Sequence, residues 1–181
     1  MCVFIDGSNF YHACRENLGG RTDVNVGSFA TMLVGTGRSL VRTYYYGCAL
    51  PPEHEEAARK AQQRFFTALQ RVPYTELRLG KLVKRETECR ACGDVRERHQ
   101  EKGVDMRVGV DMLAGASKNL YEVAVLVSGD GDLVEAVKAV KDLGKHVEVA
   151  AFPKGRSDEL AAAADVITEL KPSDMTPLLL H

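Results

Sequence analysis

The tightest constraint on this chain is a pattern met twice: a short apolar run that stops at an acidic, glycine-containing turn. Val3–Ile5 runs into Asp6-Gly7-Ser8-Asn9, and Val123–Val127 runs into Ser128-Gly129-Asp130-Gly131-Asp132. Runs this short, with no polar alternation, suit strands buried on both faces. Further strands are expected at Val41–Cys48, Tyr74–Leu79, His146–Ala151 and Val166–Leu170. Helical spacing fills the gaps: Asn9–Leu18 closed by Gly19-Gly20, Val26–Leu33, Glu53–Arg71, Val104–Ala116, Leu133–Leu143 closed by Gly144, and Ser157–Ala164. In Glu53–Arg71 the stripe Ala57, Ala61, Phe65 and Leu69 recurs at i+4, widened by Phe66. Val104–Ala116 is apolar over most of its circumference and predicts a buried helix. Strands alternating with helices predict an α/β fold with a mainly parallel central sheet.

A chain of 181 residues, 45% hydrophobic and 27% charged, can bury one core and is too short for two comfortable ones. The expectation is one domain over residues 1–171, a charged excursion at 80–102 and a loosely held tail at 172–181. The formal net charge of −1 lends nothing to nucleic-acid binding, so any basic surface must be local. No run approaches the ~18–20 apolar residues of a bilayer span, and the start MCVFIDGSNF lacks a signal-peptide pattern. A cytoplasmic protein with no membrane partner is the expectation.

In open α/β sheets, ligands bind at the carboxyl ends of strands. If the two acid-turn strands are neighbours, their carboxylates converge on one crevice, where they repel unless something positive sits between them. Hard oxygen donors of this kind suit Mg²⁺ or Mn²⁺. The glycines allow tight turns and leave room for a substrate phosphate. The competing reading is local, since an aspartate at a strand–helix junction is commonly a helix cap. A third acidic segment, Lys102-Gly103-Val104-Asp105 continuing to Val110-Asp111, puts two aspartates on an apolar helix. Asp105 sits where a cap would sit, and Asp111 is four residues after Arg107, a helical ion-pair spacing. The two do not share a helix face, so Asp105 is the first candidate and Asp111 a supporting one.

Together, Phe4-Ile5-Asp6-Gly7-Ser8-Asn9, Lys102-Gly103-Val104-Asp105 with Val110-Asp111-Met112-Leu113, and Ser128-Gly129-Asp130-Gly131-Asp132 resemble the NYN domain. The resemblance is to its LabA-like (DUF88) branch among the PIN-like nucleases. Val137–Val147 and Leu160…Asp165 also resemble that family's ending. The resemblance implies a PIN-like three-layer α/β/α sandwich and a divalent-metal-dependent ribonuclease that hydrolyses RNA phosphodiester bonds. It implies catalytic roles for Asp6, Asn9, Asp105, Asp130 and Asp132, with the four aspartates as Mg²⁺ or Mn²⁺ ligands. Asp111, Ser128 and Lys102 would orient carboxylates or meet the substrate. RNA is the implied partner, and a homodimer follows only by analogy. The alternative is a non-catalytic RNA- or protein-binding regulatory module on the same fold. A HAD-type phosphatase is disfavoured because Ser8 stands where Asp-x-Asp needs its second acid, and dinucleotide binding because the first turn lacks G-x-G-x-x-G.

Within the excursion, Cys89-Arg90-Ala91-Cys92 is half of a zinc pattern. Cys89, Cys92 and His99 are candidate ligands for a structural Zn²⁺, with Cys48, His54 or another subunit as open choices for the fourth. The competing reading is two reduced surface thiols. The same stretch mixes Arg78, Lys81, Lys84, Arg85, Arg90, Arg96, Arg98 and Lys102 with Glu86, Glu88, Asp94, Glu97 and Glu101, a solvated face by default and an RNA grip if it folds over the crevice. Tyr11, Tyr44, Tyr45 and Tyr46 are base-stacking candidates against a packing role.

Overall fold

Each central strand feeds two cores by alternation. In β1 (Cys2–Asp6), Cys2 and Phe4 join one buried cluster while Val3 and Ile5 join the other. β5 (Val123–Val127) divides in the same way, Ala124 and Leu126 against Val125 and Val127. Such strands have no polar face because helices cover both sides. The computed structural model describes the backbone of residues 1–88 and 95–180 and the side chains of residues 1–84 and 102–180.

The sheet also contains β2 (Arg42–Cys48), β3 (Thr75–Glu88), β4 (Val95–Lys102), β6 (His146–Ala151) and β7 (Val166–Glu169), in the order β4-β3-β2-β1-β5-β6-β7. Six of these strands are parallel, and β4 alone runs antiparallel, against β3. One face is covered by α1 (Gly7–Asn17), α2 (Val26–Val34), α3 (Glu56–Leu69) and α7 (Pro172–Met175). The other is covered by α4 (Val104–Ser117), α5 (Val134–Asp142) and α6 (Asp158–Ala163). This is the PIN-like α/β/α sandwich. From β1 the chain moves outward through β2 and β3, and from β5 it moves the opposite way. The reversal between β1 and β5 is a topological switch point, where open sheets leave a crevice at their carboxyl end.

Several expectations need correction. The inner face of α3 does not carry Ala57 and Ala61, which are exposed; it carries Gln62, Phe66 and Leu69. Gln62 earns that place by capping β2, its amide donating to Cys48 O and accepting from Leu50 N. α4 is not buried all round: Met106 is 75% and Val110 55% exposed, while Val104, Val108 and Met112 face the core. Within the charged excursion at 80–102, β3 runs on to Glu88 and pairs with β4. The tail is held rather than loose: Met175 is fully buried, Leu179 pairs with Val24, and Leu180 N donates to Asp23 O. Among the described residues no helix is long and apolar enough to cross a membrane.

Candidate metal centre

Three elements deliver one carboxylate each to the switch-point crevice. Asp6 ends β1 and caps α1, its Oδ1 accepting from Asn9 N at 3.2 Å. Gly7 must be glycine here, since a Cβ would lie 2.3 Å from Tyr46 O. Asp130 follows β5 and caps the short turn Gly131–Leu133, accepting from Asp132 N at 3.0 Å. Asp105 sits in the first turn of α4, launched by Gly103 with φ at +77°, a conformation that favours glycine. Lys-Gly-x-Asp is therefore a turn device: the glycine reverses the chain out of β4 and aims the aspartate inward.

One ligand oxygen each from Asp6, Asp105 and Asp130 lie within 4.8 Å of one another. Asp6 is 3% exposed, Asp130 half-buried and Asp105 exposed. Cap and cluster are not rivals, because Asp6 and Asp130 do both. Asp105 caps nothing; α4 has no side-chain cap.

A polar web sets the geometry. Ser128 Oγ donates to Asp6 Oδ2 at 3.0 Å and accepts from Asp130 N at 3.1 Å. Asn9 Oδ1 accepts from Gly129 N at 2.8 Å, tying the two acid turns together. Burial pushes the Asp6 carboxyl above its ordinary range; the Asn9 and Ser128 hydrogen bonds oppose this, and Asp105 and Asp130 add to it. Asp105 is also raised, first by burial and then by Asp130 and Asp132. Among the described residues no cation pairs with Asp6, Asp105 or Asp130. A compact set of hard oxygen donors without a protein counter-charge fits a divalent cation. Asp132 lies outside the tight triplet but close enough to act on Asp105.

The other candidates separate. Asp111 points away from the triplet. It accepts from Tyr46 OH at 3.0 Å, and Arg78 Nε lies 4.0 Å away. The spacing-based partner Arg107 instead donates to Leu79 O. Lys102 is exposed at the end of β4. Cys89 and Cys92 lie outside the described residues, and His99 is placed only as a backbone position of β4. Cys48 is buried within the core. Tyr45 and Tyr46 are buried in packing, and Tyr44 stacks on Phe4, so none of the three offers a free face to a base; Tyr11 is exposed. The glycine room is also taken: a Cβ on Gly129 would meet Gly155 O at 2.7 Å, and Ser157 N donates to Gly129 O. Sequence reading missed this loop behind the acid turn. In the sequence Ser157 only opens the expected helix Ser157–Ala164, and its contact with Gly129 is non-local.

A crystal structure of a protein of unknown function from Vibrio parahaemolyticus RIMD 2210633 has a TM-score of 0.71 to this chain at 23% identity. It covers 99% of this chain and 94% of its own, a likeness of fold. None of the curated proteins compared matches the chain. The NYN domain matches residues 1–171, and the chain belongs to the NYN domain family.

Proposed function

We propose that the protein is a divalent-metal-dependent ribonuclease of the LabA-like (DUF88) branch, acting on RNA phosphodiester bonds. The observation that carries this reading is the carboxylate triplet, three acids from three elements within 4.8 Å at the switch point. The family supports it, since NYN domains have the PIN-like nuclease fold. Asp6, Asp105 and Asp130 would hold Mg²⁺ or Mn²⁺, with Asp132 completing the set from the exposed side. A divalent cation supplies Lewis-acid activation and charge stabilisation during in-line displacement. The chain's own part is orientation. Ser128 holds the Asp6 carboxylate and the Asp130 backbone, and Asn9 keeps the two turns in register. Lys102, two residues before α4, supplies positive charge at the rim.

The test is cleavage of labelled single-stranded and structured RNA with Mn²⁺, with Mg²⁺ and with EDTA. An Asp6→Asn/Asp130→Asn variant, checked to be folded, runs beside the wild type. Cutting that needs metal and is lost in the variant is the expected result. Binding without cutting on every substrate would make the protein a non-catalytic RNA-binding module instead.

A further inference from the structure

α4 fills the space above the sheet unevenly. Val104, Val108 and Met112 pack into the core. Farther along and to one side, Asp111, Ala114 and Gly115 face a cavity of about 130 Å³ that Tyr44 and Arg78 line from the sheet. The cavity also touches Cys2 and Phe4, so it lies at the amino end of the sheet, whereas the acid triplet lies at the carboxyl end. From Asp105 to Ala114 the helix covers roughly 14 Å, which keeps the cavity apart from the metal centre.

Its wall is apolar. Phe4 stacks on Tyr44 with ring centroids 5.2 Å apart and meets Tyr121 edge-on at 5.7 Å. The Tyr121 ring occupies the space beside Gly115, where a Cβ would lie 2.7 Å from it. Leu120 lines the cavity while 48% exposed, which puts it at the opening.

The charged groups of the lining are not balanced. The Arg78 guanidinium lies 5.4 Å from the centre of the Tyr44 ring. Among the described residues only Glu76 accepts a hydrogen bond from this side chain, at 2.6 Å. Arg78 Nε is buried and lacks an acceptor there, with Asp111 Oδ2 4.0 Å away and engaged by the Tyr46 hydroxyl. Lys118, which caps the end of α4, also lines the cavity, is exposed and is in no ion pair among the described residues. Glu76 is shared with Arg42 at 3.4 Å. Glu76 and Asp111 thus face Arg42, Arg78 and Lys118, and one positive charge is left over.

An apolar wall with a few placed polar groups is the make-up of a small-molecule site. A guanidinium with unused donors suits a carboxylate. Size sets the rest of the ligand, since an apolar protein cavity of roughly 150 Å³ admits benzene. A phosphate dianion would exceed the single spare charge and leave the apolar wall without a partner.

We propose that the cavity under the C-terminal half of α4 binds a small monocarboxylate with an aromatic or branched apolar body. The carboxylate meets Arg78 and Lys118, and the body lies against Phe4, Tyr121 and Leu120. Binding here needs neither the acid triplet nor its metal, so it is independent of the nuclease reading.

The test is calorimetric titration of the full chain with benzoate, in EDTA so that no metal at the triplet takes the carboxylate. Benzoate is expected to bind one to one and, at ten times its Kd, to raise the melting temperature by about 3–6 °C. Benzyl alcohol and acetate each lack one half of the ligand and should bind at least about tenfold more weakly. Amide NMR shifts in the wild type should change chiefly over Ala114–Tyr121 and the start of β1. Arg78→Gln/Lys118→Gln should lose the preference for benzoate over benzyl alcohol, and Ala114→Leu, which fills the cavity from the helix, should lose benzoate binding, with a thermal melt to check that each is folded. No saturable benzoate binding would overturn the proposal. So would acetate or inorganic phosphate binding as tightly as benzoate, shift changes centred elsewhere, or a folded Arg78→Gln/Lys118→Gln variant that keeps the wild-type preference.

Discussion

The two aspartates of α4 lie on one helix and have opposite surroundings. Asp111, toward its middle, accepts a hydrogen bond from the fully buried Tyr46 hydroxyl and has the Arg78 guanidinium nearby. Asp105, in its first turn, has other carboxylates for company and is pushed toward protonation, first by burial and then by Asp130 and Asp132. One acid is satisfied by its fold, while the other gathers unrelieved negative charge with Asp6 and Asp130. The contrast separates an acid that holds the helix against the sheet from one arranged for something the chain itself does not supply. Perturbed, clustered acids in a crevice are the physical mark of a functional site.

The comparison breaks most readily on activity. Changes to residues that merely support metal ligands typically cost 10–100-fold, so Asp105→Asn should reduce metal-dependent RNA cleavage by at least about a hundredfold. Asp111→Asn should leave cleavage near the wild-type rate. Equal losses in a steady-state assay would show that the two aspartates are not different in kind.

Stability should reverse the ranking. Asp111→Ala strips the acceptor from the buried Tyr46 hydroxyl, and an unsatisfied buried donor costs on the order of 1–3 kcal/mol. Tyr46→Phe in the same background should recover part of that loss, because removing both partners is cheaper than removing one. Denaturant unfolding of the four forms measures the coupling, and additive losses would dismiss the hydrogen bond as a stabilising link.

Titration sharpens the contrast further. Asp6 and Asp105 both have folded-state pKa values raised above 3.8. The folded protein therefore binds protons more tightly than the unfolded chain, and the stability this confers is complete below pH 3.8 and lost as pH rises through the raised values. Metal-free wild type should lose ground to an Asp6→Asn/Asp105→Asn variant as pH rises from about 4 toward neutrality. Added Mn²⁺ should restore the wild type alone, because only its folded state keeps the ligand set. Melting curves against pH, with and without Mn²⁺, show this; a pH-independent gap would mean that the carboxylates do not strain the apo protein.

The smallest expected effect concerns the turn that launches Asp105. Gly103→Ala meets no atom within 4 Å of the new Cβ, yet must hold φ at +77°. Left-handed backbone costs a non-glycine residue about 1 kcal/mol, so a small drop in stability is expected, with a larger fractional loss in Mn²⁺ affinity if the turn aims the aspartate. Unchanged Mn²⁺ affinity by calorimetry would make the turn a connector only.

Much of this arrangement was legible locally. Asp6-Gly7-Ser8-Asn9 and Ser128-Gly129-Asp130 announce strand ends because apolar runs stop there, and the parallel α/β sandwich follows from strands alternating with helices. Where periodicity misled, it was weak or of the wrong kind. α4 carries apolar residues on both faces, so hydrophobicity does not say that Met106 and Val110 face solvent. The segment 80–102 is charged and short of apolar residues, so hydrophobic periodicity does not mark the strands that the pairing of β4 with β3 reveals. Met175 lies in the tail expected to be loosely held, yet it is buried in the core that α1 and α2 share.

By itself the sequence determined which residues end strands, which cap helices and where the chain can turn, because those preferences act over a few residues. Only the tertiary structure decided that β1 and β5 are neighbours, and that Asp105 joins Asp6 and Asp130 while Asp111 turns to Tyr46. Convergence of charges depends on through-space distance. The pairing of distant segments sets that distance, and it is driven by burial of both sheet faces rather than by any local signal.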